Sequence, residues 1–261
     1  MAVIRNPAVA GQFYPANAGE LTAAITTLLD EAEERHAVAP KALIVPHAGY
    51  IYSGPVAASA YSLLQSWRHR YSRVVLLGPC HRVAVNGMAL STADAFRTPL
   101  GDVPVDSGAV RNVDLPGVHK FDASHQDEHS LEVHLPFLQI VLEDFAIVPI
   151  VVGHASPHSV ARVLDALWGG DETLIVISSD LSHYLNYESA TAMDAATSRA
   201  IEQFDTHIDH TAACGATPVR GLLIAARKRG LQIETLDLRN SGDICGDRDF
   251  VVGYGAWVVF E

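Results

Sequence analysis

The chain has 261 residues, 49% hydrophobic and 18% charged, enough to bury a full core, which excludes a disordered chain or a small disulfide-stapled scaffold. A formal net charge of −12 argues against a nucleic-acid protein, which would show a basic face, and against charge-driven binding to an anionic membrane. No apolar run reaches the length of a bilayer span, "MAVIRNPAVAGQFYP" lacks a signal-peptide layout, and Cys80, Cys214 and Cys245 form no CxxC pair, so a cytoplasmic protein with reduced thiols is expected.

In chain order, "NAGELTAAITTLLDEAEERH" (17–36) puts Leu21, Ala24, Ile25, Leu28, Leu29 and Ala32 on one helical face, with Asn17 as the cap. Residues 42–46 read as a buried strand, "GPVAASAYSLLQSW" as a helix with Pro55 in its first turn, and 73–78 as the next strand. A Gly- and Pro-rich excursion covers 97–118, and the irregular stretch 92–118 is placed to shape entry to a site. A helix is expected near 128–143, bent or restarted at Pro136, then a strand at 146–152 and a helix from Pro157 to Trp168. There follow the strand "TLIVISS", a helix near 187–203, and a helix opened by Thr217 and Pro218 and closed by Gly230. The strands "LQIETLDL" and "FVVGYGAWVVF" complete the pattern. Strands alternating with helices predict one three-layer α/β/α domain over residues 1–261, with a central, largely parallel or mixed sheet.

Ligands of open α/β sheets sit beyond the carboxyl ends of the strands. Three apolar runs, in "ALIVPHAGY", "VVLLGPCHRV" and "LIVISSDLSHY", deliver His47, His81, and Asp180 with His183 to that end. A lone histidine after a strand is ordinarily a loop residue; the repeated placement of His47 and His81 is what points to a site. Two neutral imidazoles and one anionic ligand suit a divalent transition metal. The loop "NSGDICGDRDF" (240–250) offers the anion, with Cys245 competing against Asp243, Asp247 and Asp249. A carboxylate would complete the facial triad of non-haem iron oxygenases, whereas a thiolate widens the choice to zinc or copper. Cys80 beside His81 reads as a small buried hydrophobe, and Cys214 precedes a helix start with no partner in the pattern.

The segment "SHQDEHSLEVHLPFLQ" (124–139) is dense in titratable groups: His125, Asp127, Glu128, His129, Glu132 and His134. On a helix His129 and Glu132 would share a face, and contacts to the ligating residues or to substrate fit them better than ligation. There is no HExxH, GxSxG, GxGxxG or P-loop pattern, which lowers the standing of a zinc protease, an esterase, a dinucleotide enzyme and an NTPase.

"AGQFYP", "PHAGYIYSG", "LLGPCHRV", "DEHSLEVHLPFLQ", "VPIVVG", "SSDLSHY" and "SGDICGDRDFVVGYGAW", in this order from about residue 5 to residue 258, resemble the Memo family. The resemblance implies a fold similar to the class III extradiol ring-cleaving dioxygenases, which use non-haem Fe(II). It implies metal ligands at His47 in "PHAGY", His81 in "GPCHR" and Cys245 in "DICGD", and places His183 where those dioxygenases keep an acid/base histidine. The thiol stands where the dioxygenases carry a carboxylate.

The first expectation is therefore a metal-dependent, dioxygenase-like oxidoreductase acting on a small molecule, with Fe(II) favoured over copper or zinc. Asp180 would orient His183, and Tyr50, Tyr52, Glu128 and His129 would line the pocket or support the ligands. Animal members of the family look like signalling proteins linked to motility and receptor phosphopeptides. Bacterial and archaeal members accompany a radical SAM protein and an AMMECR-type domain, which the resemblance implies as partners. The competing expectations are a non-catalytic binding or assembly protein holding a ligand or peptide in the same cleft, and a metal-free thiol hydrolase with Cys245 as nucleophile and His183 as base.

Overall fold

The computed structural model describes residues 2–33 and 39–261. After β1 (Ile4–Arg5) comes α1 (Ala18–Asp30), where the Asn17 side chain accepts the N–H groups of Gly19 and Glu20 and Leu21, Ile25 and Leu29 face the core. The expected helix over 17–36 stops at Asp30, and residues 34–36 of that stretch lie outside the described residues.

The strand β2 (Ala42–Val45) is buried throughout, and α2 (Tyr50–Tyr61) follows at once. This helix begins at Tyr50 rather than near Gly54, because Gly49 caps it: the N–H groups of Tyr52 and Ser53 donate to the Gly49 carbonyl. Pro55 therefore lies inside the helix. The carbonyl it leaves without a helical N–H belongs to Ile51, an exposed residue.

A 3-10 turn over Ser62–Trp67 leads into β3 (Arg73–Pro79). The stretch that reads as an irregular loop holds β4 (Met88–Leu90), β5 (Ala95–Thr98), β6 (Gly101–Pro104), α3 (Ser107–Asn112) and β7 (Val118–Lys120).

The single helix expected near 128–143 is replaced by α4 (Ala123–Gln126), a 3-10 turn over Glu132–His134, and α5 (Leu135–Val141), with Pro136 in the first turn of the last. The reason is the Glu128 carboxylate, which accepts the N–H groups of His129 at 3.0 Å and Ser130 at 2.9 Å and so takes them away from a helical ladder. His129 and Glu132 consequently share no helical face.

There follow β8 (Ala146–Val152), α6 (Pro157–Leu167), β9 (Thr173–Ser178), β10 (His183–Leu185), α7 (Tyr187–Glu202), α8 (Ala216–Lys228), β11 (Gln232–Asn240), α9 (Ser241–Cys245) and β12 (Val251–Phe260). One sheet runs β10-β12-β2-β9-β3-β8-β4-β7, with β11 also paired to β12, and β1-β5-β6 form a small second sheet. The neighbours β2, β9, β3 and β8 are parallel, while β12 and β4 run antiparallel to β2 and β8. Helices flank this mixed sheet in the three-layer α/β/α arrangement that the alternating pattern predicts.

Leu43, Ile44, Leu76, Leu77, Val176 and Ile177 are fully buried in the central strands. Each such side chain contributes about 1.5–3 kcal/mol of transfer free energy. Because β2, β9 and β3 are adjacent and parallel, their carboxyl ends lie side by side, and the residues that follow them meet there. Among the described residues no helix is long and apolar enough to cross a membrane.

Candidate metal centre

His47 follows β2 by two residues and is buried, which follows from the strand ending at Val45 and from Pro46. Its backbone N–H donates to Asp180 Oδ1 at 2.7 Å, tying the end of β2 to the end of β9. Its ring Nδ1 lies 2.6 Å from Ser178 Oγ, and that hydroxyl gives its own hydrogen to the Ser130 carbonyl at 2.6 Å. Ser178 Oγ can therefore only accept from His47, so Nδ1 carries the proton and Nε2 is a free lone pair.

His81 is fixed in the same sense. Its Nδ1 lies 2.9 Å from Glu128 Oε1, and its backbone N–H donates to Glu128 Oε2 at 2.6 Å. Burial pushes the Glu128 carboxyl up, but the bonds from the His81 ring and from the His81 and Ser130 N–H groups outweigh it and hold the pKa at about 2. A carboxylate accepts from Nδ1–H, which leaves Nε2 of His81 free as well.

The third donor is Cys214, which stands just before α8, with Sγ 3.4 Å from His47 Nε2. A metal ~2.3 Å from sulfur and ~2.0 Å from nitrogen at a tetrahedral angle needs those atoms roughly 3.5 Å apart. The donor atoms of His47, His81 and Cys214 all lie within 4.8 Å of one another, as do those of His81, Glu128 and His129. Without a metal the thiol stays protonated: burial and the neighbouring Asp180 push its pKa to about 12. The N–H of Asp180 points at the sulfur from 3.3 Å and would stabilise a thiolate once a cation is present. Two imidazoles with outward-tied Nδ1 atoms and a thiol at ligand spacing fit a divalent metal.

His129 stacks on His81 with ring centroids 4.7 Å apart and meets His47 edge-on at 5.5 Å. Its Nδ1 is buried and makes no hydrogen bond, and burial lowers its pKa. His183, half-buried at the edge of the centre, has Nδ1 2.8 Å from the Leu181 carbonyl, so Nδ1 carries hydrogen and Nε2 is the basic atom. Asp180 is buried and its carboxyl is shifted up, chiefly by burial, against the opposing His47 N–H.

The structure thus brings together His47, His81 and Asp180 from the strand ends with Glu128 and His129 from the 124–139 segment. Cys245, the thiolate ligand that the resemblance implies, is exposed at the end of α9, and the thiol within 4.8 Å of the His47 and His81 donor atoms is that of Cys214. Asp180 holds His47, whereas His183 is held by a main-chain carbonyl. No hydrogen bond among the described residues joins Cys245 to His183, so the nucleophile–base pair of a thiol hydrolase is not assembled. Tyr50 is a core residue whose hydroxyl donates to the Val133 carbonyl at 2.6 Å, while Tyr52 is half-exposed on the same helix. Residues 92–118 contribute none of the converging atoms.

Ser178 and Ser130, second neighbours of the donors, carry no sequence signal beyond their place at a strand end and in the 124–139 segment. Next to Cys214, a Cβ at Gly215 would lie 2.5 Å from the Ser178 carbonyl oxygen, so only glycine lets the helix start approach β9 this closely.

The comparisons with known proteins agree along the chain. The family described as "Memo-like protein" matches residues 5–258. A "MEMO1 family protein" of Aeropyrum pernix is 40% identical over 282 aligned residues, covering 97% of this chain and 98% of its own. Relatives of the same description in Aquifex aeolicus and Methanosarcina mazei are 37% and 35% identical, covering 96% and 98% of this chain and 97% and 99% of their own. With a match over nearly its whole length and relatives aligned end to end, the chain belongs to the Memo family.

Proposed function

We propose that this Memo-family chain is a metal-dependent oxidoreductase acting on a small molecule, with His47, His81 and Cys214 holding Fe(II) in preference to copper or zinc. The observation that carries the reading is the 3.4 Å approach of Cys214 Sγ to His47 Nε2 within a three-donor group. A metal held by these three donors would supply redox and Lewis-acid chemistry to a small molecule bound beside it.

The chain's own residues do the rest. Ser178 and Glu128 orient the two imidazoles by accepting their Nδ1–H groups. His183, with Nε2 free, takes a proton from a substrate hydroxyl and returns it later. His129 walls the centre from one side, stacked on His81 and packed against Phe13 with centroids 5.0 Å apart.

The test is metal content by elemental mass spectrometry after anaerobic purification and Fe(II) reconstitution, for the wild type beside His47→Ala and His81→Ala, with O₂ uptake followed during a substrate screen. About one metal per chain, lost in both variants, is expected. A wild type without metal, or variants that keep it, would sink the reading.

A further inference from the structure

His183 offers a basic Nε2 only while its Nδ1 holds the hydrogen, and what keeps it there is the Leu181 carbonyl at 2.8 Å, two residues back along the chain. So local a contact depends on the course of the backbone over residues 181–183. That course is imposed from outside. Tyr184, the next residue, has a φ of +58°, a left-handed conformation costly for an aromatic residue and kept only where the surroundings over-determine it.

Three hydrogen bonds supply the constraint. Leu181 N–H donates to the Gly253 carbonyl and Gly253 N–H donates to the Ser182 carbonyl, both at 2.8 Å, which ties the segment to β12. The third comes from a side chain on α7. Asp194, twelve positions along the chain, accepts the Ser182 N–H on Oδ1 at 3.0 Å.

The carboxylate is fitted closely to this place. A Cβ on Gly253 would lie 1.9 Å from Asp194 Oδ2, so the residue that both donates to and accepts from the 181–182 segment has to be glycine for Asp194 to reach it. Asp194 is only 2% exposed, and its Oδ2 is sealed without a hydrogen bond. A buried carboxylate with one oxygen unpaired costs stability, and burial pushes its pKa up. An apolar side chain would fill the same space without that cost. What it could not supply is an acceptor for the Ser182 N–H, one residue before the base.

We propose that Asp194 is a positioning residue for His183: by accepting the Ser182 N–H it holds the 181–183 segment so that the Leu181 carbonyl receives Nδ1–H and Nε2 is left as the basic atom. This rests on the reading of His183 as the group that moves a proton, and the geometry concerned needs no metal.

The test reads the tautomer itself. Long-range proton–nitrogen NMR correlations of the histidine rings are recorded on the metal-free full-length chain at pH ~8.5, above the ordinary histidine pKa near 6.5. His183→Gln identifies the His183 signals. The wild-type ring is expected in the Nδ1–H form. Asp194→Ala is expected to shift its ratio toward Nε2–H by roughly fivefold or more, the effect of one lost hydrogen bond, while the His47 ring, held by Ser178, keeps its form. Asp194→Asn retains an acceptor oxygen and is expected to restore the wild-type ratio. An unmoved ratio in Asp194→Ala overturns the proposal, and so does a His183 ring already in the Nε2–H form in the wild type. An equal shift in Asp194→Asn overturns it too, as does an Asp194→Ala chain that loses the His47 and His183 signals together, which would make Asp194 a residue of the fold alone. No metal enters the measurement, so a chain that fails to load Fe(II) sinks the metal reading without moving these ratios.

Discussion

Ser178 and Glu128 decide which nitrogen of each imidazole faces the centre. Ser178→Ala leaves the His47 Nδ1–H without its acceptor, and Glu128→Gln exchanges a carboxylate that receives four N–H groups for a weaker acceptor. Metal affinity is predicted to fall about tenfold for Ser178→Ala and about ten- to hundredfold for Glu128→Gln. Competition with a chromogenic chelator measures both, and unchanged affinities would show that the ring tautomers are not set by these partners. At this scale the sequence was legible where a donor follows a strand: His47 and His81 stand directly after apolar runs. Cys214 was not legible, because its partner His47 lies 167 positions away and nothing in "TAACGAT" marks a strand end. Cys245 stands in Gly- and Asp-rich surroundings that look like a ligand loop, and at the end of α9 its side chain is exposed.

Elements position these residues through two close approaches. At the start of α8, a Cβ on Gly215 would meet the Ser178 carbonyl oxygen at 2.5 Å and the Ser179 hydroxyl at 2.8 Å. Gly215→Ala is therefore predicted to push the helix start, and Cys214 with it, away from β9. Stability should drop by about 1–3 kcal/mol in urea unfolding, and metal affinity should drop in the same variant. Wild-type values for both would mean that the helix start can move without consequence. Near the N-terminus, Glu132 accepts from Arg5, from the N–H groups of Ala8 and Val9, and from the Tyr14 hydroxyl, while Arg5 also donates to the carbonyls of His125 and Glu128. Glu132→Ala would leave a buried guanidinium without its carboxylate, a loss of about 3–5 kcal/mol read by the same unfolding experiment. The periodicity of the strands and of α6, α7 and α8 was readable because packing and propensity agree there. The break over residues 127–131 was not, since a side-chain carboxylate captured backbone donors that a pattern of residue types assigns to a helix.

Over the whole molecule, three buried histidines set how stability responds to pH. Burial is the main cause in each case: His125 is held down at about 4, His134 at about 3, and His47 well below its ordinary value. Unfolding exposes these rings to an ordinary pKa near 6.5, so below that pH the unfolded chain binds more protons and stability falls as pH falls. Glu128, held at about 2, acts in the same direction once pH drops below the ordinary glutamate value. Asp180 and Asp194, raised chiefly by burial, act oppositely, losing their contribution as pH rises through their folded values. Each buried histidine contributes a slope of up to about 1.4 kcal/mol per pH unit, so chelator-stripped protein is predicted to lose about 3 kcal/mol or more between pH ~7.5 and pH ~5. Urea unfolding across that range checks it, and a flat profile would contradict it.

The central sheet also positions the donors of the candidate centre. Parallel β2, β9 and β3 align their carboxyl ends, and the turn just before α8 brings the Cys214 thiol to that edge, 167 positions from His47 along the chain. The most direct measurement is metal content after anaerobic Fe(II) reconstitution of Cys214→Ser beside Cys245→Ser. Loss of most of the metal in Cys214→Ser, with wild-type content in Cys245→Ser, is the predicted result; the reverse pattern would contradict the centre described here.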